Sequence, residues 1–191
     1  MIVNKHITKD NWNEIKDILP QITKIRSLNL SIMGLIEFPK MSHITIMEDF
    51  KCWNNKISSF ENCPNIGGDF NCSSNKLKSF KDCPVIGCEF DCSSNQIVSF
   101  ENCPPINGRF YCHNNLIKSF KDCPIANGDF YSGVLEFNKI HKYSREKKIS
   151  LLEAQVELYN HQDEEILAHI DKFPDLVAYI RLNELNKLLV C

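Results

Sequence analysis

The chain is 191 residues long, enough for one compact domain or for one elongated array with its end caps. Its 22 lysines and arginines face 24 acids, a formal charge of −2, so no global field draws it toward nucleic acid or an anionic membrane. No stretch approaches the roughly 20 apolar residues of a membrane helix, and the opening MIVNKHITKDNW lacks the apolar core of a secretory signal; a soluble cytoplasmic protein is the expectation.

Along the chain, Trp12, Ile15, Ile18 and Leu19 recur at helical spacing behind Thr8 or Asp10, either of which can cap a helix, so a short amphipathic N-terminal cap is expected. Ile25, Leu28, Leu30, Leu35, Phe38 and Pro39 then read as a degenerate form of the pattern that follows. Ile44 and Ile46 lead into its first regular copy. Residues 1–49 are therefore taken as a cap with one degenerate repeat.

From Phe50 the sequence repeats every 20 residues: FKCWNNKISSFENCPNIGGD, FNCSSNKLKSFKDCPVIGCE, FDCSSNQIVSFENCPPINGR and FYCHNNLIKSFKDCPIANGD, with a fifth copy that begins at Phe130 and decays at once. Self-similarity at such a period outranks local signals and points to stacked coils. Phe70 and Cys72 alternate about Asn71, which places both on one face of a short strand, one strand per coil. Asn55, Asn75, Asn95 and Asn115 follow the strand, where an amide can satisfy backbone groups left open by a turn, so a ladder of asparagines is expected. The position 67, 87, 107 and 127 reads Gly, Gly, Asn, Asn, the residue types that tolerate positive φ, which predicts a left-handed residue before each strand. Pro64, Pro84, Pro104 and Pro124 predict an extended return on the convex side, since 20 residues leave no room for a helix. Glu61, Lys81, Glu101 and Lys121 alternate in sign, and Asn62, Asp82, Asn102 and Asp122 keep the same 40-residue rhythm, as a solvated charge stripe left by duplication of a two-coil unit would.

The pattern F-x-C-x-x-N-x-L-x-S-F-x-x-C-P resembles the core of leucine-rich repeats in their short form. It is similar to the repeats of secreted bacterial effectors, and closer to the phenylalanine- and cysteine-bearing versions of phages and large DNA viruses. The resemblance covers about half of the chain and implies an α+β repeat solenoid: a leucine-rich-repeat array over 50–137 with a parallel β-sheet on its concave face, a short N-terminal helical cap and a C-terminal helical bundle cap. Some effectors of that kind are ubiquitin ligases with a catalytic cysteine in a large helical domain. The tail here is too short to hold one, so that activity is not carried over.

After Phe137, glycine, cysteine and proline nearly vanish, and 138–191 reads as a helical tail. The run KIHKYSREKK from Lys139 reads as a solvated linker rather than a phosphate grip. Ser150 to Glu153 reads as a capping box with Leu151, Leu152, Val156 and Leu158 behind it. A second helix is expected from about Gln162 to Phe173, and after a break at Pro174 a third carries Leu176, Val177, Ile180, Leu185, Leu188 and Leu189.

Chemistry is weighed column by column. Cys52, Cys72, Cys92 and Cys112 form one file and Cys63, Cys83, Cys103 and Cys123 another; no C-x-x-C knuckle occurs, so the eight are expected as reduced core residues and not as metal ligands. Cys88 and Cys191 lie off the lattice without a motif that would mark a nucleophile, and His113 and His141 stand alone. No phosphate loop, nucleophile elbow or paired catalytic acids occur, so no enzyme, cofactor, metal or small-molecule substrate is expected.

The strand positions that the core does not use remain. They carry Asp49, Lys51 and Trp53, then Asp69, Asn71 and Ser73, then Glu89, Asp91 and Ser93, then Arg109, Tyr111 and His113, and last Asp129, Tyr131 and Gly133. Of these, Trp53, Asp69, Asn71, Glu89, Asp91, Arg109, Tyr111, His113, Asp129 and Tyr131 are the candidate partner-binding residues. Aromatic and arginine anchors are what protein interfaces favour, and the acids select a partner with a basic patch; nucleic acid and membrane are disfavoured. The reading is a non-enzymatic protein-binding solenoid. The viral resemblance extends it to a virus- or phage-encoded inhibitor that binds or redirects a host protein, a defence factor among the candidates, in the host cytoplasm. The alternative is an oligomerising or adaptor protein that acts through its C-terminal helices, with the repeats as a rigid spacer.

Overall fold

In the computed structural model, which describes residues 1–189, the chain winds into a parallel β-solenoid closed at one end by helices. Nine strands join one sheet: β1 (Ile2–Ile7), β2 (Lys24–Asn29), β3 (Thr45–Ile46), β4 (Phe50–Lys51), β5 (Asn65–Ile66), β6 (Phe70–Asn71), β7 (Phe90–Asp91), β8 (Phe110–Tyr111) and β9 (Phe130–Tyr131). The 20-residue period becomes register directly. Phe50, Phe70, Phe90, Phe110 and Phe130 are successive Cα partners, and so are Lys51, Asn71, Asp91, Tyr111 and Tyr131.

The expectation of one strand per coil needs correction. The first half of β2 pairs with β3 and its second half with β4, so the single long strand of the first coil becomes two short pieces around a corner in the next. The second ladder continues from β3 to β5 and then through isolated bridges Ile66–Ile86, Ile86–Ile106 and Ile106–Ala126. Each proline at 64, 84, 104 and 124 therefore sits two residues before a short extended contact. A proline in that position fixes φ without removing a ladder donor.

The interior is built from the fixed columns. Phe50, Phe70, Phe90 and Phe110 stack with centroids 5.4–5.6 Å apart and planes within 10°. Phe60, Phe80 and Phe100 meet this file edge-on at 6.2–6.4 Å, the arrangement that aromatic quadrupoles prefer. Ile57, Leu77 and Ile97 fill the same core.

The asparagine ladder forms as expected. Asn95 Nδ2 donates to the carbonyl oxygens of Cys72 (3.1 Å), Cys92 (3.0 Å) and Ser93 (3.2 Å), and its Oδ1 accepts from the Leu77 N–H at 2.9 Å. Asn75 repeats the pattern one coil earlier, with Cys52, Cys72 and Ser73 as acceptors and Ile57 as donor. Each amide thus ties its own coil to the one before.

The left-handed residues fall elsewhere than predicted. Positive φ occurs at Asn62, Asp82, Asn102 and Asp122, and again at Asn54, Ser74, Ser94 and Asn114, two corners per coil. Short polar side chains bear this conformation best, which accounts for the Asn/Asp alternation at 62–122. No residue of the column 67, 87, 107 and 127 has positive φ. Gly67 and Gly87 instead donate to Ile46 and Ile66 across the second ladder, and a methyl group on Gly67 would lie 2.6 Å from the Met47 carbonyl oxygen. Close approach of backbones is the reason for glycine there.

At the N-terminus the hydrophobic spacing was informative but the element differs. Trp12, Ile15 and Leu19 are buried, yet Trp12 and Leu19 lie on two short 3-10 segments, Trp12–Glu14 and Lys16–Gln21, with Ile15 at the junction between them and no side-chain cap from Thr8 or Asp10. Pro20 inside the second segment removes a donor that an α-helix would need. The strand β1, which lies parallel beside β2, was not anticipated.

The C-terminal cap consists of α1 (Leu135–Lys147), α2 (Leu151–Asn160), α3 (Glu164–Ala168), a 3-10 turn Ile170–Lys172 and α4 (Pro174–Leu189). The expected capping box is present: Ser150 Oγ accepts from the Glu153 N–H at 3.2 Å and Glu153 Oε2 from the Ser150 N–H at 2.8 Å. The basic run from Lys139 is not a linker but the body of α1, which buries Phe137, Ile140, His141 and Ser144. The helical region therefore begins at Leu135 and not at 138. Phe137 and Phe173 extend the phenylalanine file past Phe120, at 5.0 and 5.9 Å, so the cap stands in for the next coil. The Lys172 carbonyl accepts from the Phe120 N–H at 2.9 Å in the same spirit. Cys191 and the side chains of Leu185, Leu188 and Leu189 lie outside the described residues.

All the described cysteines are free thiols. Cys52, Cys63, Cys72, Cys92 and Cys112 are buried, and burial pushes the thiols of both files well above their ordinary range. Cys88 is exposed at a corner. Brief alkylation of the folded protein is expected to label Cys88 and to leave Cys72 and Cys92 untouched until the chain is unfolded. Peptide mass spectrometry checks this, and early label on Cys72 would contradict a sealed core.

Candidate protein-docking face

The outward side of the main ladder gathers the residues singled out above into rows. One row runs Lys51, Asn71, Asp91, Tyr111, Tyr131 in strict register. Asp49, Asp69, Glu89, Arg109 and Asp129 precede these strands, and Trp53, Ser73, Ser93, His113 and Gly133 follow them. With neighbouring strands ~4.8 Å apart, the rows span about 20 Å from the coil of Trp53 to that of Gly133. That is the scale of a protein interface.

The face has three chemically distinct parts. In its middle, Asn71 Nδ2 donates to Asp91 Oδ2 at 3.1 Å, while Asp91 Oδ1 accepts from the Ser93 N–H (3.0 Å) and hydroxyl (2.6 Å). Asn71 Oδ1 accepts in the same way from Ser73. Asn71 and Asp91 are thus engaged in shaping the strand exits as well as facing outward. Beside them, Asp49 Oδ1 accepts from the Asp69 N–H and Asp69 Oδ1 from the Glu89 N–H, which spaces the carboxylates one per coil. Partial desolvation, with Asp69 and Asp91 nearby, raises the Glu89 pKa even though Arg109 stands 3.6 Å away.

At the C-terminal end, Tyr111 and Tyr131 stack with centroids 4.8 Å apart and planes 4° from parallel. Arg109 lies beside them, its pKa raised first by Tyr111 and then by Glu89. Asp129 is bound by Arg145 of α1 at 2.7 Å, which holds its carboxyl below the usual range. A cleft of about 310 Å³ separates Tyr131 from α1 and is lined by Asp129, Phe130, Asn138, His141, Lys142 and Arg145. Trp53 is half-buried at the opposite end, and His113 is half-buried against Gly133, where an added methyl would meet the His113 Cβ at 3.2 Å.

Sequence reasoning missed the contribution of α1. Asn138, Lys142 and Arg145 border the face only because Leu135–Lys147 is helical, and the signal was available: Phe137, Ile140, His141 and Ser144 follow the i, i+3, i+4, i+7 pattern of a buried helix face. A second cleft, of about 660 Å³, lies between the start of α1 and residues 164–172; in it Glu136 Oε1 meets both Lys172 Nζ and His169 Nε2 at 3.1 Å. These contacts pin the helices together. Among the described residues, no group of three or more histidines, cysteines and acids is placed to hold a metal ion, and no helix is long and apolar enough to cross a membrane. No family model, curated protein or solved structure matches the chain.

Proposed function

We propose that this chain is a non-enzymatic binding module whose protein partner docks on the outward face of the main ladder. The observation that carries the reading is the Tyr111–Tyr131 stack, with Tyr131 exposed and Tyr111 half-buried, beside a file of carboxylates on an in-register sheet. Stacked tyrosines offer large contact area at small entropic cost, and the acids favour a partner with a basic patch. The resemblance to phage and large-virus repeat proteins supports a host protein as the target, bound so as to inhibit or divert it in the host cytoplasm.

Affinity capture from candidate host extracts, compared between the parent and variants, tests this. Tyr131→Ala and Asp69→Lys are the sharpest probes, because neither side chain closes a strand exit as Asp91 does. Each is expected to weaken a captured partner by at least tenfold, about 1.4 kcal/mol, while melting stays within a few degrees. Undiminished capture by both variants removes this face from consideration.

A second reading, association through the helices, draws on Tyr179 and Leu182 of α4, which are exposed with Leu167 nearby in sequence. Removing the helices is not a clean test, since they cover Phe120 and Phe130. Light scattering on Leu182→Glu is cleaner: an oligomer in the parent that dissociates in the variant favours this reading over the first.

A further inference from the structure

We propose that His141 is a proton-operated latch that holds the C-terminal helices onto the last coil and releases them when it is protonated. Its ring is 1 % exposed, stacks on Phe130 with centroids 4.7 Å apart, and accepts the Ala126 N–H through Nε2 at 2.9 Å. An imidazolium carries a hydrogen on both nitrogens. Protonation would therefore set an N–H against the Ala126 N–H, in the bond that joins α1 to the second ladder.

The cation would gain only a backbone hydrogen bond at Pro124 and the face of Phe130, which desolvation and Arg145 outweigh. The titratable groups that line the adjoining cleft are Asp129 and Tyr131 from the last coil and Lys142 and Arg145 from α1 itself. The one carboxylate among them, Asp129, is already held by Arg145 at 2.7 Å. Arg145 and Lys142 add like charge.

Burial first, and then Arg145, pushes the His141 pKa down to about 4 from its ordinary 6.5. The opened cap takes up a proton below pH 6.5 and the closed cap does not. The stabilisation is complete above pH 6.5 and is lost as pH falls from there through about 4, so the closed state is disfavoured by about 100-fold at pH 4 relative to pH 7. Released helices would uncover Phe120, Phe130 and the free edge of β9.

Hydrogen exchange on the full chain, corrected for the intrinsic pH dependence, tests the latch. Between pH 7 and pH 4, protection over 135–172 is expected to fall by about 100-fold relative to the coils at 50–112. In His141→Gln, whose amide oxygen can accept from Ala126 but does not titrate, this differential fall should vanish. The same differential fall in the variant would assign acid sensitivity to Asp129, Glu136 or Asp163 and overturn the proposal, as would coils and helices losing protection together. The imidazole resonances of the parent give a second measure independent of the variant's stability. Titration near pH 4 in step with cap opening supports the latch, and titration near 6.5 with the cap intact defeats it.

Discussion

Phe90→Ala is expected to destabilise the protein by about 3–5 kcal/mol, the range for removing a fully buried aromatic ring. Phe90 has no exposed surface and touches four other rings: Phe70 at 5.5 Å and Phe110 at 5.6 Å in its own file, Phe60 and Phe80 at 6.4 and 6.2 Å across the core. The coils above and below are held at the strand spacing by backbone hydrogen bonds: the Phe90 N–H donates to the Arg109 carbonyl and the Phe70 N–H to that of Glu89. They cannot close in on the gap, so most of the cavity persists. Denaturant unfolding measures the loss, with Val98→Ala as the comparison. Val98 is exposed in the coil that Phe90 begins, and its truncation should stay within about 0.5 kcal/mol. Equal effects from the two would show that the phenylalanine files are not the core of the array.

The second large effect is expected from Asn95→Leu, which keeps the branched outline of the side chain but deletes one acceptor and one donor to each of three carbonyls. The Leu77 N–H would stay buried without its acceptor, while the Cys72 and Cys92 carbonyl oxygens would each keep one amide donor, from Asn75 and Asn115, so a cost of about 2–3 kcal/mol is expected. Asn95→Asp separates hydrogen bonding from shape, because it is nearly isosteric and keeps Oδ1. Its second oxygen would face carbonyl oxygens that only a protonated acid can satisfy, so its stability should fall as pH rises. Thermal unfolding at pH 5 and pH 8 reads that slope. If Asn95→Leu melts like the parent, the amide ladder is a by-product of the turn and not a tie between coils.

These two columns are legible in the sequence because a repeat turns sequence spacing into spatial contact: residues 20 apart must be neighbours if the coils stack. The same logic placed Lys51, Asn71, Asp91, Tyr111 and Tyr131 in one row, and that row is observed. It could not show that Asn71 and Asp91 would spend hydrogen bonds on Ser73 and Ser93, since those bonds depend on how the chain leaves the strand. It also misplaced the left-handed corners. Asn/Gly composition marks positions that tolerate positive φ, but glycine at 67 and 87 answers to a neighbouring coil's backbone instead.

The amino-acid sequence by itself determined the stacking, the register, the phenylalanine and asparagine columns, the buried file from Cys52 to Cys112 and which strand residues face outward, because each follows from periodicity and side-chain alternation within one chain direction; the second file is less covered than expected, with Cys83, Cys103 and Cys123 only half-buried. Only the tertiary structure decided that each coil bends into two ladders, that the basic run at Lys139 is a helix, and that His141, Lys142 and Arg145 close the end of the candidate face. Those outcomes rest on contacts between segments with no common period, where the last coil's open edge and exposed rings select whatever part of the tail can cover them.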